Sequence, residues 1–413
     1  MTYIELFDRT HTANVCGMLT NPPDRVILVG EKYKTLEKHA ARYREVMQAR
    51  GQDCEIIPRS VNKNNITAII ELFSSIIDEY EDCHFDLTGG EDLFLCAAGI
   101  VSERYKSRGV HVNMHRFNIR SNRVIDCDLD GVTVMENALP SITIDENIRI
   151  WGGQVKGRPY SPHDFDDESK NDIAALWEIC RYNVKAWNRQ VNIISAAEKR
   201  RNDCELKLTT EASVKNMYAV LNYDERKHVI DQSILQKLNE KKLISFYCVE
   251  GGTFEIKYKS PLVKSCLTKA GLVLELWILL CADQAKNNDG QPIYCDVKSG
   301  VYIDWDGEVD LKRGRYDTEN EVDVMLIHGA LPVFVSCKNG AFDMEELYKL
   351  NSVAERFGRE YSKTVIVTTA IDSLGTLANH IRQRASDMDI RIIDRAHSMT
   401  ERELVETIST LWM

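Results

Sequence analysis

The chain has 413 residues, 44% of them hydrophobic and 28% charged, which is typical of a globular protein with two or three domains. The net charge of −11 argues against a simple basic nucleic-acid binder, because duplex binding depends largely on phosphate neutralisation. A metal-dependent nuclease remains compatible with this charge, since bound cations offset acidic site residues.

Targeting signals and cysteine pairs are missing from the sequence. The longest apolar stretch, Leu272–Ala282, contains Glu275 and is too short to cross a bilayer. The N-terminus has neither a basic nor an apolar segment of the signal-peptide kind. The 12 cysteines include no Cys-x-x-Cys pair, which argues against a zinc ribbon. We therefore expect a cytoplasmic protein with free thiols and no membrane partner.

The elements in chain order predict an α/β fold in three parts. Strands alternate with helices over residues 1–155, which indicates a Rossmann-like domain with parallel strand pairing. Residues 156–265 read as helices followed by a hairpin, which suits a winged-helix-like connector. Residues 266–413 read as a third, α/β part. Its predicted elements are a helix through 280, strands at 293–297 and 301–305, a hairpin over 321–338, a helix over 343–357, a strand at 364–369, and helices near 373–388 and 399–411.

A glycine turn, Thr88-Gly89-Gly90, lies where a predicted strand passes into a helix. Gly30-Glu31-Lys32 occupies the matching position after an earlier strand. Ligands of open parallel sheets bind outside the carboxyl ends of the strands, where helix N-termini offer free N–H groups. The turn is compatible with such a ligand site and equally with an ordinary tight turn, and no GxGxxG motif is present.

A family resemblance favours the ligand site. Glu5–Asp8, Thr12–Val15, the strand ending at Gly30 and the turn Leu87–Leu93 resemble a CARF domain, the CRISPR-associated Rossmann-like sensor of cyclic oligoadenylates. Glu91-Asp92 stands where that family often has Thr-Lys. The resemblance implies ligand contacts from two loops and the segment before them, namely Thr12, Asn14, Gly30, Glu31, Lys32, Thr88, Gly89, Gly90 and Asp92.

The predicted hairpin brings an acid and a lysine together. With Gly329-Ala330 as a two-residue turn, Asp323 lies opposite Ser336, and Glu321 lies opposite Lys338. Asp323 then shares a strand face with Lys338 and Met325, and the valines beside it form the other face. A surface salt bridge between Glu321 and Lys338 is the simpler alternative, but it leaves Asp323 unexplained.

An aspartate on one strand and a lysine on its neighbour can serve a metal-dependent nuclease. The carboxylate supplies hard oxygen ligands for Mg²⁺ or Mn²⁺, and the ammonium stabilises developing phosphorane charge. Glu275, alone in an apolar helix, also requires a partner or a position at the helix edge.

Three segments resemble the CARF-fused PD-(D/E)xK nucleases of type III CRISPR systems, the Can/Card effectors: Gly271–Trp277, Glu319–Val324 and Phe334–Gly340. The resemblance implies a homodimer that binds cyclic tetra-adenylate and cuts DNA, RNA or both with little sequence preference. The family's acid and lysine correspond to Asp323 and Lys338.

Ser336 replaces the acid that usually precedes the lysine by two positions. Glu275, Glu321, and Glu345 or Glu346 on the next helix are the nearby acids. We expect Glu275, together with Glu345, to complete a metal site at Asp323, with Glu321 among the catalytic candidates.

Two other functions fit parts of the sequence. A ligand-responsive CARF–winged-helix regulator with an inactive nuclease-like domain would use the helix and hairpin at 234–259. A ring nuclease that degrades its own activator would need a general base in the N-terminal domain, where the sequence offers no clear constellation.

Overall fold

A computed structural model describes residues 1–127, 133–136, 140–200, 209–213, 232–249, 253–307 and 319–413. These residues form an α/β fold with three separate sheets, as predicted. Within the described residues, no helix is long and apolar enough to cross a membrane.

The N-terminal sheet has the strand order β3-β2-β1-β4-β5-β6-β7. Its strands are β1 (Thr2–Leu6), β2 (Arg25–Gly30), β3 (Glu55–Ser60), β4 (Cys83–Asp86), β5 (Asn113–Asn118), β6 (Arg123–Asp126) and β7 (Thr133–Glu136). The first five strands pair in parallel, as the alternation of strands and helices predicts, and the last two are antiparallel. The helices of this region are α1 (Ala13–Thr20), α2 (Tyr33–Ala49), α3 (Ile66–Glu79), α4 (Asp92–Lys106) and α5 (Ile144–Ile150).

The connector contains a small sheet and a group of helices. Strands β9 (Thr209–Ser213), β10 (Ile244–Val249) and β11 (Thr253–Tyr258) form an antiparallel sheet in the order β10-β11-β9. The helices are α6 (Asp167–Tyr182), α7 (Val184–Arg200), α8 (Gln232–Glu240) and α9 (Pro261–Thr268). The predicted succession of a helix and a hairpin is confirmed by α8, β10 and β11. The predicted turn at 251–252 lies outside the described residues.

The C-terminal sheet has the strand order β16-β15-β14-β13-β12-β8. Its strands are β8 (Gln154–Lys156), β12 (Asp296–Asp304), β13 (Glu319–His328), β14 (Leu331–Lys338), β15 (Lys363–Thr368) and β16 (Ile390–Ile393). The helices are α10 (Leu272–Asp283), α11 (Met344–Phe357), α12 (Thr376–Asp387) and α13 (Glu401–Ile408). The two strands predicted at 293–305 are one strand, β12. The predicted domain boundary at 155/156 falls within β8, and the three domain limits remain predictions.

Strand β13 is buried on both faces from Val324 to Ile327, and the prediction that the two valines beside Asp323 share a face is wrong. Met325 is fully buried, and so is Val324 beside it. Val322 and Val324 would share a face in a flat strand, yet they pack into different hydrophobic clusters. On the paired strand β12, Val297 and Val301 also pack into different hydrophobic clusters. The side-chain alternation of β13 therefore changes phase at Asp323, where the pairing with β12 omits Gly300, whose φ is +67°.

Candidate active site and ligand cleft

The hairpin of β13 and β14 has the predicted turn and register. His328 pairs with Leu331, so Gly329-Ala330 is a two-residue turn, and Gly329 has a φ of +61°. The last ladder pair is Val324–Val335, one position before Asp323 and Ser336. The hydroxyl of Ser336 donates to Asp323 Oδ2 at 3.1 Å, which confirms that these two residues lie opposite each other.

Asp323, Ser336, Lys338 and Glu346 form what we call the carboxylate–lysine cluster. Asp323 Oδ2 accepts hydrogen bonds from the Cys337 backbone N–H at 2.7 Å and from Lys338 Nζ at 3.2 Å. Glu346 Oε1 lies 2.7 Å from Ser336 Oγ and 3.1 Å from Lys338 Nζ. The single hydroxyl proton of Ser336 can serve only one carboxylate at a time. Two carboxylates thus share one ammonium and one hydroxyl, which leaves them under-neutralised.

Lys338 is charged in this environment. Burial lowers its pKa, but the nearby Asp323 and Glu346 carboxylates outweigh that effect, and the pKa lies above its ordinary value. Its ammonium is half-buried at the end of β14 and is aimed between the two acids. The arrangement can therefore present a fixed positive charge to an anionic group that approaches the cluster.

Two of the predicted acids lie elsewhere. Glu345 is exposed and forms an ion pair with Lys349 one turn along α11, with 2.8 Å between Oε1 and Nζ. Its neighbour Glu346 reaches the cluster instead. The Asp343 side chain caps α11 by accepting from the Glu345 N–H at 3.1 Å, and this sets the phase of the helix. Glu321 is exposed near the start of β13. Among the described residues, Lys338 forms ion pairs with Asp323 and Glu346 and not with Glu321.

Glu275 lies in the first turn of α10 and is half-buried. Burial raises the pKa of Glu275 to about 8, and the neighbouring Asp323 and Glu321 carboxylates raise it further than Lys338 lowers it. Among the described residues its carboxyl group has neither a hydrogen bond nor an ion pair. Glu275 therefore lies within electrostatic reach of Asp323 without direct contact, and its role in a metal site remains a prediction.

Tyr302 is a residue of this site that the sequence reasoning missed. It pairs with Glu321 across β12 and β13, and 42% of it is exposed. Burial raises its pKa to about 12, and a hydrogen bond to Glu321 and the nearby Glu275 and Asp323 contribute to the shift. The sequence offered no distinguishing signal, because Tyr302 stands between Val301 and Ile303 in an ordinary strand run.

The cluster offers donors for a divalent cation, although the described residues contain no group of three or more His, Cys, Asp or Glu side chains arranged to hold a metal ion. Asp323 and Glu346 present anionic oxygens to the same hydroxyl and ammonium, and Glu275 has no counter-charge in contact. Hard carboxylate oxygens of this kind suit Mg²⁺ or Mn²⁺. The donor set fits such an ion with Asp323 and Glu346 as ligands.

A cleft of about 610 Å³ lies beyond the carboxyl ends of β1 and β2. The predicted loop Gly30-Glu31-Lys32 lines it, which is the position expected for a ligand site in a parallel sheet. The remaining walls come from distant parts of the chain, namely Phe7, Asp8, Arg9, Thr10, His11, Thr35, Leu36, His39, Lys63, Glu91, Phe94, Arg359 and Glu360.

Other residues predicted to contact the ligand are part of the scaffold behind the cleft. Thr12 and Asn14 are fully buried. Asn14 Nδ2 donates to Asp8 O at 2.8 Å and to the Tyr43 hydroxyl at 2.9 Å, and Asn14 Oδ1 accepts from Asp8 N at 2.8 Å. Thr12 Oγ1 accepts from Trp151 Nε1 at 3.3 Å. Both residues hold the loop that lines the cleft, and neither lines it.

The glycine turn also has a packing role. A Cβ atom at Gly89 would lie 2.7 Å from Asp8 Cβ, and one at Gly90 would lie 2.7 Å from Leu6 Cβ. Gly90 also has a φ of +97°, which disfavours other residues. Thr88 Oγ1 accepts from the Phe117 N–H at 2.8 Å, so it joins β4 to β5. The glycines allow close approach of β1 to the turn. Asp92 is the first residue of α4, and it does not line the cleft.

Two stacked histidines, His11 and His39, were missed because they lie far apart in the sequence. Their ring centroids are 4.1 Å apart. Burial is the main reason that the pKa of His11 is lowered to about 2 and that of His39 to about 4. The nearby Arg42 and Arg356 contribute to both shifts, and His39 contributes to that of His11. The pair is therefore neutral at physiological pH.

No protein-family model matches the chain, and a search of curated proteins finds no relative. Solved structures do share its fold. Protein VC1899 from Vibrio cholerae is 18% identical with a TM-score of 0.74, and the alignment covers 100% of this chain and 97% of that one. Can2 from Sulfobacillus thermosulfidooxidans, solved in complex with cyclic tetra-adenylate, is 16% identical with a TM-score of 0.67 over 99% and 97% of the two chains.

A type III CRISPR defence DNA nuclease activated by cyclic oligoadenylate is 12% identical, with 89% of this chain and 45% of that chain covered. Its TM-score of 0.47 is too low for the likeness to carry an argument. The first two structures match from end to end, so the order and arrangement of all three parts of this chain follow an architecture already seen in solved proteins.

Proposed function

We propose that this protein is a cyclic-oligoadenylate-activated, metal-dependent endonuclease of CRISPR defence. The observation that carries the proposal is the carboxylate–lysine cluster at the end of the β13–β14 hairpin. End-to-end similarity to the fold of Can2, a protein solved with cyclic tetra-adenylate, supports a ligand site in the cleft. The proposed PD-(D/E)xK site consists of Asp323, Lys338 and Glu346. Ser336 stands where this pattern usually has an acid, and Glu346 on α11 would supply that acid instead.

Each residue of the cluster has a role in this proposal. Asp323 and Glu346 would hold Mg²⁺ or Mn²⁺, which polarises a phosphodiester and lowers the pKa of bound water. Lys338 would place its ammonium beside the phosphate and stabilise negative charge in the transition state. Ser336 would orient the two carboxylates through its hydroxyl. Glu321 would keep further negative charge at the edge of the site, and a cation held by Asp323 and Glu346 would favour the ionised form of the nearby Glu275 carboxyl group.

The decisive experiment is cleavage of single-stranded DNA, single-stranded RNA and supercoiled plasmid by the full-length protein. Reactions contain cyclic tri-, tetra- or hexa-adenylate, each with Mg²⁺ or Mn²⁺. Asp323→Asn and Lys338→Met should each lower the cleavage rate at least ~10²-fold, which is the scale of one lost electrostatic stabiliser. Cleavage that persists in excess EDTA, or in both variants, contradicts the proposed site.

We further propose that the active form is a homodimer. A cyclic oligonucleotide with an even number of units has a two-fold axis, so two clefts related by that axis can contact it equivalently. Light scattering should give twice the 47.2 kDa mass of the chain when cyclic tetra-adenylate is bound. A monomer at saturating ligand contradicts this arrangement.

A ligand-responsive regulator is the second candidate, because α8 and the β10-β11-β9 sheet form a compact helix-and-sheet unit beside the C-terminal domain. The same assay separates the two functions. A ligand-dependent gel shift without any cleavage would favour the regulator over the nuclease.

A further inference from the structure

The C-terminal domain supplies one wall of the ligand cleft. Arg359 and Glu360, directly after α11, line it together with the loops of the N-terminal sheet. Thr10 Oγ1 donates to Glu360 Oε1 at 2.6 Å, and Arg120 Nη2 donates to the Glu360 carbonyl at 2.5 Å. The segment 358–360 is therefore fastened to the sensor part of the chain at the cleft itself.

Arg359 occupies a strained position. Its φ is +48°, in the left-handed region where a residue with a Cβ is less stable than glycine by roughly 1 kcal/mol. Its half-buried guanidinium has no hydrogen bond or ion pair with any described residue. By contrast, Lys63 on the opposite wall is neutralised by Glu91 at 2.9 Å. Arg359 thus combines a strained backbone with a guanidinium that has no partner among the described residues. Because this guanidinium belongs to a residue that lines a cleft, it points to an anionic ligand.

Helix α11 connects this wall to the carboxylate–lysine cluster. Glu346 lies in the first turn of α11, and Arg359 follows its last turn, about 20 Å away along the axis. The first turn of α11 contacts the cluster through Glu346, and its last turn is held by three hydrogen bonds. Arg356 donates to the carbonyls of Trp151 at 2.6 Å and Trp305 at 2.8 Å, and the Phe357 carbonyl accepts from the buried Asn147 side chain at 2.9 Å.

We propose that Arg359 binds a phosphate of the activator, and that the segment 358–360 transmits ligand binding through α11 to Glu346. A phosphate bound by Arg359 acts on the segment that directly follows α11, the helix whose first turn carries an acid of the cluster. Sensing would then occur within one chain, in addition to any effect across a dimer. The inference rests on the proposed function and names a residue outside the predicted CARF loops.

The test measures binding of cyclic tetra-adenylate to the full-length protein in EDTA, where no substrate is cut. Arg359→Gly removes the charge and relieves the positive φ, so its melting temperature should not fall below that of the wild type. Its Kd should rise at least ~10-fold, the effect expected for loss of a hydrogen bond to a charged group. Arg402→Ala is the matched control, because Arg402 is exposed and pairs only with Glu406 in the described residues.

A second measurement tests the transmission through α11. At saturating cyclic tetra-adenylate, the maximal cleavage rate of Arg359→Gly should stay at least ~5-fold below that of the wild type, the low end of typical coupling between sites. A Kd equal to that of the wild type overturns the contact, and full recovery of the maximal rate overturns the transmission. A wild-type protein that binds none of the cyclic oligoadenylates overturns the proposed activator itself, which is a distinguishable result.

Discussion

The carboxylate–lysine cluster and the ligand cleft are built from the sequence in different ways. Three members of the cluster, Asp323, Ser336 and Lys338, come from one hairpin, and Glu346 begins the next helix. The cleft takes its walls from loops after β1 and β2, from α2, from the start of α4 and from the end of α11. A hairpin places its residues through local register, whereas a cleft between domains depends on packing across the whole chain. A site built from one hairpin is therefore easier to predict from sequence than a site built from distant parts of the chain.

The two regions also differ in what their conspicuous residues do. In the hairpin, the unusual residue Asp323 marks the carboxylate–lysine cluster. At the cleft, the conspicuous glycines and the polar residues Thr12 and Asn14 support the backbone, and the groups exposed to a ligand are ordinary charged residues such as Lys32 and Arg359. The following predictions test this contrast, in order of decreasing expected effect.

The first prediction compares adjacent glutamates on α11. Glu346→Gln should lower the cleavage rate by ~10²–10³-fold, because it removes a charge that faces Lys338 and Ser336. Glu345→Gln should leave the rate unchanged, since Glu345 is exposed and pairs with Lys349. Rates are measured with activator and Mn²⁺ at matched protein stability. Equal rates for the two variants would remove Glu346 from the site.

The second prediction compares two glycines near the turn. Gly90→Ala should lower the free energy of unfolding by about 3 kcal/mol, because it adds a Cβ against Leu6 at a positive φ. Gly99→Ala, inside α4 with nothing within 4 Å of the new Cβ, should raise it by about 1 kcal/mol. Urea unfolding of both variants measures this difference. An unchanged stability in Gly90→Ala would argue that the glycine serves the ligand instead of the packing.

The third prediction separates scaffold from ligand contact. Asn14→Ala should lower the free energy of unfolding by about 2 kcal/mol, because it leaves the Asp8 backbone N–H and carbonyl without their partner and removes a donor to the Tyr43 hydroxyl. Lys32→Ala, on the exposed cleft wall, should change stability by less than about 0.5 kcal/mol and weaken cyclic tetra-adenylate binding. Denaturant midpoints and binding titrations should therefore rank the two variants in opposite orders. The same order in both assays would contradict the division.

The fourth prediction concerns pH. The pKa of His39 is lowered to about 4 in the folded protein, so the unfolded chain binds more protons between pH 4 and its ordinary pKa of 6.5. Stability is therefore lost as the pH falls through this window, by about 1 kcal/mol between pH 7 and 5.5. His39→Gln should reduce that loss, and His163→Gln, at an exposed position, should not. Urea midpoints at the two pH values give the result, and equal losses in all three proteins would contradict it.

Much of the fold could be predicted because its signals are local. Strands that alternate with helices predict parallel pairing, and β1 to β5 pair in that way. The two-residue turn at Gly329-Ala330 sets the register that brings Asp323 to Ser336, because hairpin register follows from turn length. Glu275 could be singled out because one carboxylate in an apolar helix requires an explanation.

The predictions for Glu345 and for the faces of β13 were wrong for the same reason, because both depend on tertiary packing that the sequence does not show. Glu345 and Glu346 are adjacent, and only the cap at Asp343 and the packing of α11 decide which one faces Lys338. The change of side-chain phase at Asp323 is hidden from the sequence of β13, because it depends on the packing of Val322 and Val324 into two different clusters.

The sequence by itself determined the α/β fold, the hairpin and the identity of its acid and lysine, since these depend on periodicity, turn chemistry and residues close in the chain. Only the tertiary structure decided that Glu346 completes the cluster, that Asn14 and the glycines support the cleft, and that Arg359 forms its wall. Glu360, the neighbour of Arg359, and Thr10 are separated by nearly the whole chain, and no local rule relates them. They form a hydrogen bond because the cores of the N- and C-terminal parts join in one hydrophobic cluster, which fixes the end of α11 against the loop after β1.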